Sequence, residues 1–131
     1  MADHETTIRV YYEDTDAGGI VYYANYLKYA ERARSEWLRD HGVENKKLAD
    51  EDGLFFVVKS CSLDYHTPAV LDDLITVKTT LEEFKSASIV LSQDIYKADK
   101  KLVSVRVKIC MVNGSKRPAK IPHHIKEKLV S

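Results

Sequence analysis

The sequence predicts an α+β domain in which one long helix packs against an antiparallel sheet. One segment in the first third of the chain has the apolar spacing of an amphipathic helix. Most of the segments that follow it alternate apolar and polar residues, as strands with one buried face do. The chain has 131 residues, which is the length of one ordinary domain. We therefore predict a single domain over residues 1–131.

The first third of the chain contains a strand, a turn and the helix. Residues 6–13 (TTIRVYYE) are rich in strand formers, and residues 14–19 (DTDAGG) are dense in turn formers. The spacing predicts a helix over residues 24–41, which ends at Gly42 because glycine commonly stops helices. The apolar face of this helix carries Tyr26, Ala30, Ala33 and Trp37.

The rest of the chain is predicted to consist mainly of strands. Residues 45–52 form a short helix or a loop. Strand patterns cover residues 54–65, 74–84, 87–96 and 102–112. The last pattern is the clearest, with one face made of Val103, Val105, Val107, Ile109 and Met111. Residues 98–101 form a turn, and residues 122–130 form a short final helix.

The short connections between these strands favour antiparallel pairing of consecutive strands. An open antiparallel sheet has exposed edges, which present unpaired backbone groups. Pairing with a second copy of the chain would cover one of these edges, so the pattern favours a homo-oligomer.

Composition and charge argue against several classes of protein. Lys and Arg number 20, as do Asp and Glu, so the formal net charge is zero; nucleic-acid binders normally have a basic excess. The apolar runs are far shorter than the roughly 20 residues of a membrane-spanning helix. The first ten residues lack the features of a signal peptide. We therefore expect no nucleic-acid partner, no stable membrane insertion and a cytoplasmic location.

The cysteines and histidines do not form a recognisable metal motif. Cys61 and Cys110 lie in predicted strands outside any CxxC motif, so we expect reduced packing residues. The five histidines do not form HxxxH or HExxH. No metal site is therefore predicted.

The segment over residues 11–26 (YYEDTDAGGIVYYANY) is the strongest candidate for chemistry. Asp14 and Asp16 follow a strand, two glycines permit a tight path, and a helix begins soon after. Unpaired N–H groups at a helix start can polarise a carbonyl. A nearby carboxylate can attack that carbonyl or activate water, which would transfer an acyl group to water. The alternative is that both aspartates simply stabilise a turn.

Residues 8–38 (IRVYYEDTDAGGIVYYANYLKYAERARSEWL) resemble the signature region of the hotdog-fold acyl-CoA thioesterases. Specifically, they resemble the YbgC-like branch of the 4-hydroxybenzoyl-CoA thioesterase family. Residues 56–79 (FVVKSCSLDYHTPAVLDDLITVKT) are similar to the next two strands of that family, and the likeness covers most of the chain. The pattern D-x-D-x-x-G-x-V-Y-x-x-x-Y is long and therefore specific.

This resemblance implies a hotdog fold, in which a curved antiparallel sheet wraps around a long helix. It also implies dimers that pair edge to edge and commonly pair again into tetramers. Asp16 matches the catalytic carboxylate of the family and would act as a nucleophile or as a general base. The backbone N–H of Tyr23 would polarise the substrate carbonyl, and Asp14 would orient the turn. YbgC-like members often carry His at the position of Tyr23.

The resemblance also indicates residues that would bind the substrate. Basic side chains should hold the phosphates of coenzyme A, and Lys85, beside Ser86, matches a basic turn in the family. The second candidate is the pair Lys116 and Arg117. Each of these cations has an alternative as an ordinary solvated surface charge. Tyr22 and Tyr26 would line an acyl pocket, and His66 lies near the expected active site.

Three hypotheses for the function remain open at this point. The leading one is hydrolysis of an acyl-CoA, with a short or aromatic acyl group, to free coenzyme A and a carboxylic acid. No separate cofactor is needed, because coenzyme A is part of the substrate. The second is hydrolysis of acyl groups carried by acyl carrier protein. The third is a non-catalytic module that binds acyl thioesters or scaffolds a complex.

Overall fold

The computed structural model describes residues 4–130. Within this range the strands are β1 (His4–Arg9), β2 (Leu54–Tyr65), β3 (Leu74–Phe84), β4 (Ser88–Lys97) and β5 (Lys100–Asn113). The helices are α1 (Asn25–Asp40), α2 (Asn45–Lys47) and α3 (His123–Val130). A 3-10 turn covers Tyr12–Asp14, and a π-helical turn over Leu48–Asp52 continues α2. These elements give the α+β architecture that the sequence predicts.

All five strands belong to one antiparallel sheet with the order β1-β3-β4-β5-β2. The predicted pairing of consecutive strands is confirmed for β3, β4 and β5. It is wrong for β2 and β3, which are consecutive in the chain but do not pair. The reason is that β1 occupies the free side of β3, so β2 pairs with β5 instead. As a result, β1 and β2 are the two edge strands of the sheet.

One face of the sheet and one face of α1 form the core. The predicted inner face of β5 is confirmed, because its five apolar side chains are at most 2% exposed. The predicted apolar face of α1 is also confirmed, since its four residues are buried. Tyr29 also packs in this core and is 1% exposed. At roughly 25 cal/mol per Å² of buried apolar area, such burial is the main stabilising term of the fold.

The core has two clusters, and a buried amide lies at their boundary. Ile95 of β4 belongs to the cluster near the start of α1, and Leu91 belongs to the cluster near α3. Gln93 lies between them on the same strand face and is fully buried. Its Nε2 donates to the Ala30 carbonyl of α1 at 2.8 Å, and its Oε1 accepts from Arg34 at 3.0 Å. Gln93 therefore fixes α1 over the sheet.

The first strand is shorter than the sequence predicts. The predicted strand extends to residue 13, whereas β1 ends at Arg9. The Asp14 carboxylate accepts a hydrogen bond from the Tyr11 N–H at 2.9 Å, which turns the chain into the 3-10 turn. Local side-chain bonding therefore overrides the strand pattern here.

The expectation that Cys61 is a packing residue is wrong for the single chain. Cys61 is exposed on edge strand β2, and Cys110 is half-buried on β5. α1 does not cover the edge of the sheet, which leaves the inner face of β2 open beside the helix. Val58, which pairs with the buried Ile109 of β5, is exposed by 51% for the same reason.

Among residues 4–130, none of the helices combines the length and the apolar composition that crossing a bilayer requires.

Candidate active site

Backbone hydrogen bonds within residues 15–21 hold the loop that follows Asp14. Thr15 pairs with Val21 as an isolated antiparallel bridge, and the Asp16 N–H donates to the Ile20 carbonyl at 2.9 Å. The Gly19 N–H donates to the Asp16 carbonyl at 3.0 Å. Gly19 has a φ of +80°, a conformation that most side chains disfavour. The glycines thus close a tight turn over residues 16–19, and Asp16 is its first residue.

One oxygen of the Asp16 carboxylate is fixed by the loop itself. The Gly18 N–H donates to Asp16 Oδ1 at 2.8 Å. A Cβ atom at Gly18 would lie 3.2 Å from the same oxygen, so this position has little room for a side chain. No hydrogen bond to Oδ2 is found among residues 4–130, and Asp16 is exposed in the single chain. The carboxylate is therefore oriented but still accessible.

The start of α1 provides a free backbone donor close to this loop. The Tyr22 carbonyl accepts from the Asn25 N–H at 2.8 Å. In a trans peptide the next N–H points the opposite way, so the Tyr23 N–H points away from the helix. Within the described chain the Tyr23 N–H has no hydrogen-bond acceptor. It lies at the positive end of a 16-residue helix, where it can stabilise a developing negative charge.

An apolar cavity of about 290 Å³ lies next to this donor. Its walls are Ile20, Val21, Tyr23, Tyr26, Tyr65, His66, Thr67 and Pro68. The structure therefore brings together three predicted site residues: Tyr23, Tyr26 and His66. Asp16 adjoins the cavity through its backbone hydrogen bond to Ile20. A carboxylate, a free N–H group and an apolar pocket thus meet at one place.

Three tyrosine rings shape the cavity. The Tyr65 ring lies 6.4 Å from the Tyr23 ring, edge to face, and 5.7 Å from the Tyr26 ring. The Tyr65 hydroxyl donates to the Tyr23 carbonyl at 3.2 Å, and the Tyr26 hydroxyl accepts from the Ala69 N–H at 3.0 Å. Burial raises the pKa of both Tyr26 and Tyr65, so both phenols stay protonated at neutral pH.

His66, which is exposed, lines the cavity directly after the end of β2. Its Nε2 lies 3.0 Å from the Ser104 hydroxyl, and its backbone N–H donates to the Leu102 carbonyl at 2.8 Å. This placement is consistent with a substrate contact. The role itself stays a prediction.

Asp14 occupies a position that suits a structural role. Its carboxylate caps the 3-10 turn, while its carbonyl accepts from the Tyr22 N–H and from Asn25 Nδ2. Burial, together with the nearby Asp14 carboxylate, raises the pKa of Tyr29 well above its usual range. Asp14 therefore contacts the helix and the turn, whereas Asp16 faces solvent.

Four predicted substrate-binding residues lie outside this cavity in the single chain. The Tyr22 ring is about half exposed and packs against the Tyr23 ring at 4.8 Å. Lys85, Ser86 and Arg117 lie at the other end of the sheet, beyond the ends of β3 and β5. Because β3 is 11 residues long, the two ends are about 30 Å apart. Their roles in binding stay predictions.

Two residues of the site escaped the sequence analysis. Tyr65 ends β2 directly before His66, and its hydroxyl bond to the start of α1 depends on a sheet order that the pattern does not reveal. Asn25 is buried with a hydrogen bond to the Asp14 carbonyl at 2.8 Å. Its signal was a polar residue at the start of a predicted helix, where Asn commonly bonds to backbone groups.

Among residues 4–130, no three His, Cys, Asp or Glu side chains are close enough together to hold a metal ion. The expectation of no metal and no separate cofactor stays a prediction.

Comparison with known proteins identifies relatives with the same fold. The model of the thioesterase-like superfamily matches residues 10–129. The acyl-CoA thioesterase YbgC of Haemophilus influenzae is 43% identical over 120 residues, which cover 91% of this chain and 88% of that protein. The crystal structure of a probable thioesterase from Bartonella henselae has a TM-score of 0.88 and 39% identity, and the match covers 91% of this chain and 98% of that one.

A more distant structure, the BH1999 gentisyl-coenzyme A thioesterase, has a TM-score of 0.88 and 26% identity; the match covers 94% of this chain and 99% of that one. The fold and the resemblance predicted from the motif around Asp16 are thereby confirmed. The match to the family model spans the helix, the whole cavity and all strands except β1. The chain therefore belongs to the thioesterase-like superfamily, within its YbgC-like group.

Proposed function

We propose that the protein hydrolyses acyl-CoA thioesters to free coenzyme A and a carboxylic acid. The observation that carries this proposal is the meeting of the Asp16 carboxylate, the free Tyr23 N–H and an apolar cavity. The names of the relatives support it, because the Haemophilus influenzae protein is called an acyl-CoA thioesterase.

In the proposed reaction the thioester carbonyl carbon lies between Asp16 and Tyr23. An oxygen nucleophile adds to this carbon. The carbonyl oxygen becomes an oxyanion, which accepts a hydrogen bond from the Tyr23 N–H. The carbon–sulfur bond then breaks, and the thiolate leaves and takes up a proton. Water supplies the oxygen of the carboxylic acid and the proton that the thiol gains.

Asp16 can act in either of two ways. As a general base it removes a proton from water while the water attacks the carbonyl. As a nucleophile it forms a mixed anhydride, which water then hydrolyses. The free Oδ2 of Asp16 can perform both roles, since only Oδ1 is bound by the loop. Trapping an anhydride with hydroxylamine distinguishes the two routes.

The cavity favours a short or aromatic acyl group. Tyr23, Tyr26 and Tyr65 give it aromatic walls, and flat rings pack well against such walls. Its volume of about 290 Å³ is at the low end for ligand pockets. The BH1999 gentisyl-coenzyme A thioesterase, which is named for an aromatic acyl group, supports this preference.

The proposed binding of coenzyme A needs a second subunit. β2 is a 12-residue edge strand with exposed apolar residues, so it can pair with its own copy. Antiparallel pairing of two β2 strands places the start of the partner's β2 beside the end of this one. β2 starts next to the end of β5, since Leu54 pairs with Asn113. The partner's Arg117 therefore approaches the cavity.

The turn that carries Lys85 and Ser86 lies at the same end of the sheet. The Ser86 carbonyl accepts from the Ile121 N–H at 2.8 Å, and the Ala87 carbonyl accepts from the Met111 N–H at 2.9 Å. In the dimer, cations of one subunit thus serve the cavity of the other, where they can bind the phosphates of coenzyme A.

Further parts of the proposal concern assembly and location. The resemblance to the family favours pairing of two dimers into a tetramer. Acyl carrier protein is an alternative carrier of the same acyl group, because the cavity recognises the acyl end of either thioester. We place the reaction in the cytoplasm.

The experiment that tests the function is thiol release from a panel of acyl-CoA esters, from short aliphatic to aromatic and long-chain. Wild-type protein and Asp16→Asn are compared, because the amide keeps the shape but neither attacks nor accepts a proton. We expect at least a 10³-fold loss of kcat in Asp16→Asn, with the fold and the oligomer intact by circular dichroism and light scattering. Turnover that persists in Asp16→Asn excludes Asp16 from the mechanism.

Acyl carrier protein loaded with the same acyl groups provides the second arm of the panel. Turnover only on these substrates favours the alternative carrier. A folded wild-type protein that binds acyl thioesters but turns over neither class contradicts hydrolysis and favours a binding module.

A further inference from the structure

Asn25, the first residue of α1, has a buried side chain that reaches back to the catalytic turn. Its exposure is 9%, and its Nδ2 donates to the Asp14 carbonyl at 2.8 Å across 11 residues of chain. A buried amide that keeps one specific backbone partner is costly to disturb, because its loss leaves polar groups unpaired.

Three hydrogen bonds connect Asn25, Tyr22 and Asp14 to one another. The Asn25 side chain bonds to the Asp14 carbonyl, and the Asn25 backbone N–H bonds to the Tyr22 carbonyl at 2.8 Å. The Tyr22 N–H in turn donates to the Asp14 carbonyl at 2.9 Å. Asn25 therefore contacts both the turn and the helix start.

These three hydrogen bonds connect the segments that carry the Asp16 carboxylate and the Tyr23 N–H. Asp16 lies two residues after Asp14, and the Tyr23 N–H belongs to the same peptide group as the Tyr22 carbonyl. The Asn25 side chain thus influences where the carboxylate stands relative to the backbone donor. Displacements of about 1 Å between reacting groups can reduce turnover by roughly 100-fold.

We infer that Asn25 is a positioning residue, which holds the Asp16 carboxylate and the Tyr23 N–H at the separation that catalysis needs. This inference rests on the proposed thioester hydrolysis. Asn25 itself does not touch the substrate, since it is buried beneath the turn and does not line the cavity. Its loss should therefore lower turnover without weakening substrate binding.

The test compares Asn25→Asp and Asn25→Ala with wild type by steady-state kinetics and thermal unfolding. Asn25→Asp is nearly isosteric, and Asp suits a helix start, but its carboxylate cannot donate to the Asp14 carbonyl. We expect kcat to fall by about 10- to 100-fold in both variants, with KM within about threefold of wild type. If Asn25 only stabilised the fold, its substitution would not lower kcat while KM stays nearly unchanged.

Gln93→Met provides the matched control. Gln93 is also a buried amide that bonds to a backbone carbonyl of α1, at Ala30, but it lies away from the cavity. This variant should lower the melting temperature while kcat stays within about twofold of wild type.

The outcomes separate this inference from the proposed function. A wild-type protein without thioesterase activity contradicts the proposed function, and the role of Asn25 with it. An active wild type with an equally active Asn25→Asp contradicts only the role of Asn25. Should Asn25→Ala fail to fold, Asn25→Asp decides the question. Loss of kcat in Gln93→Met to the same extent also contradicts the specific role of Asn25.

Discussion

At the residue scale, the two carboxylates of the DTD motif have different environments although they are two positions apart. Asp14 caps the 3-10 turn through the Tyr11 N–H, and its carbonyl is tied to α1. Asp16 is held only by its own loop and faces solvent. These environments fit the proposed division of labour, in which Asp14 builds the turn and Asp16 reacts.

This division predicts that Asp14 variants lose stability rather than chemistry. Asp14→Ala removes the acceptor for the Tyr11 N–H and should lower the free energy of unfolding by about 1 kcal/mol, as the loss of a helix cap does. Asp14→Asn should cost less, because the amide oxygen can still accept. Urea unfolding measures both, with kcat measured on folded protein as the control. A collapse of kcat comparable to that of Asp16→Asn would mean that the two roles are reversed.

Much of the site at this scale could be predicted from the sequence. The DTDAGG segment predicted a turn followed by a helix, and the structure has both. The roles of Asp16 and Tyr23 came from the resemblance to the family and stay predictions. Tyr65 and Asn25 could not be assigned, because their roles depend on contacts across 42 and 11 residues of chain. Hydrophobic periodicity describes which face a side chain takes, and it does not identify a distant hydrogen-bond partner.

At the element scale, the loop before β3 supports the wall of the cavity. Ala69 bonds to the Tyr26 hydroxyl, and Val70 forms a bridge with Ile20. Asp73 closes this loop by accepting from the Val70 N–H at 2.9 Å and pairing with Lys97 at 2.7 Å. Burial acts to raise the pKa of Asp73, but the bonds to Lys97 and Val70 outweigh it and hold the pKa below its usual value.

The lowered pKa of Asp73 predicts a pH-dependent contribution to stability. Because the folded pKa lies below the unfolded value, the contribution is complete above about pH 4 and is lost as the pH falls through the folded pKa. We expect Asp73→Asn to be less stable than wild type by about 1 kcal/mol at neutral pH. Melting temperatures measured from pH 7 to pH 3 should converge as the pH falls. A difference that stays constant over this range would contradict an ionic role.

The strands show how far periodicity alone predicts elements. β2 and β3 match their predicted bounds, and the alternation of β5 predicts its buried face. The end of β1 was missed because an Asp side chain competes for the backbone at Tyr11. The sheet order was missed as well, since nothing in the pattern of β2 reveals that β1 occupies its expected place beside β3.

At the scale of the whole molecule, the predicted site residues fall into two groups at opposite ends of the sheet. Asp16, Tyr23 and His66 lie at one end, and Lys85 and Arg117 at the other. The proposed dimer through β2 brings the groups of different subunits together. Each active site would then require two chains.

A mixing experiment tests this shared site. One parent carries Asp16→Asn, and the other carries Lys85→Gln with Arg117→Gln. We expect the first parent to be inactive and the second to have a KM for acyl-CoA raised about tenfold. In a mixed dimer, one of the two sites combines an intact Asp16 with intact cations from the other chain, so a fraction with wild-type KM should appear.

The control for mixing is a truncated thioester that lacks the nucleotide, for which the cation variant should have a normal KM. If refolded mixtures show only the sum of the two parental activities, the cations act within their own chain or do not bind the substrate. Activity that is only the sum of the two parents would therefore refute the shared site.

The open edge of β2 also affects how the protein behaves when it is handled. A subunit separated from the proposed dimer would present the free edge of a 12-residue strand, with exposed side chains such as Phe55, Val57 and Val58. Such edges associate readily with one another in the wrong register. Activity lost by dilution or mild denaturant should therefore recover poorly on reconcentration, because insoluble assemblies compete with the return of the native pair.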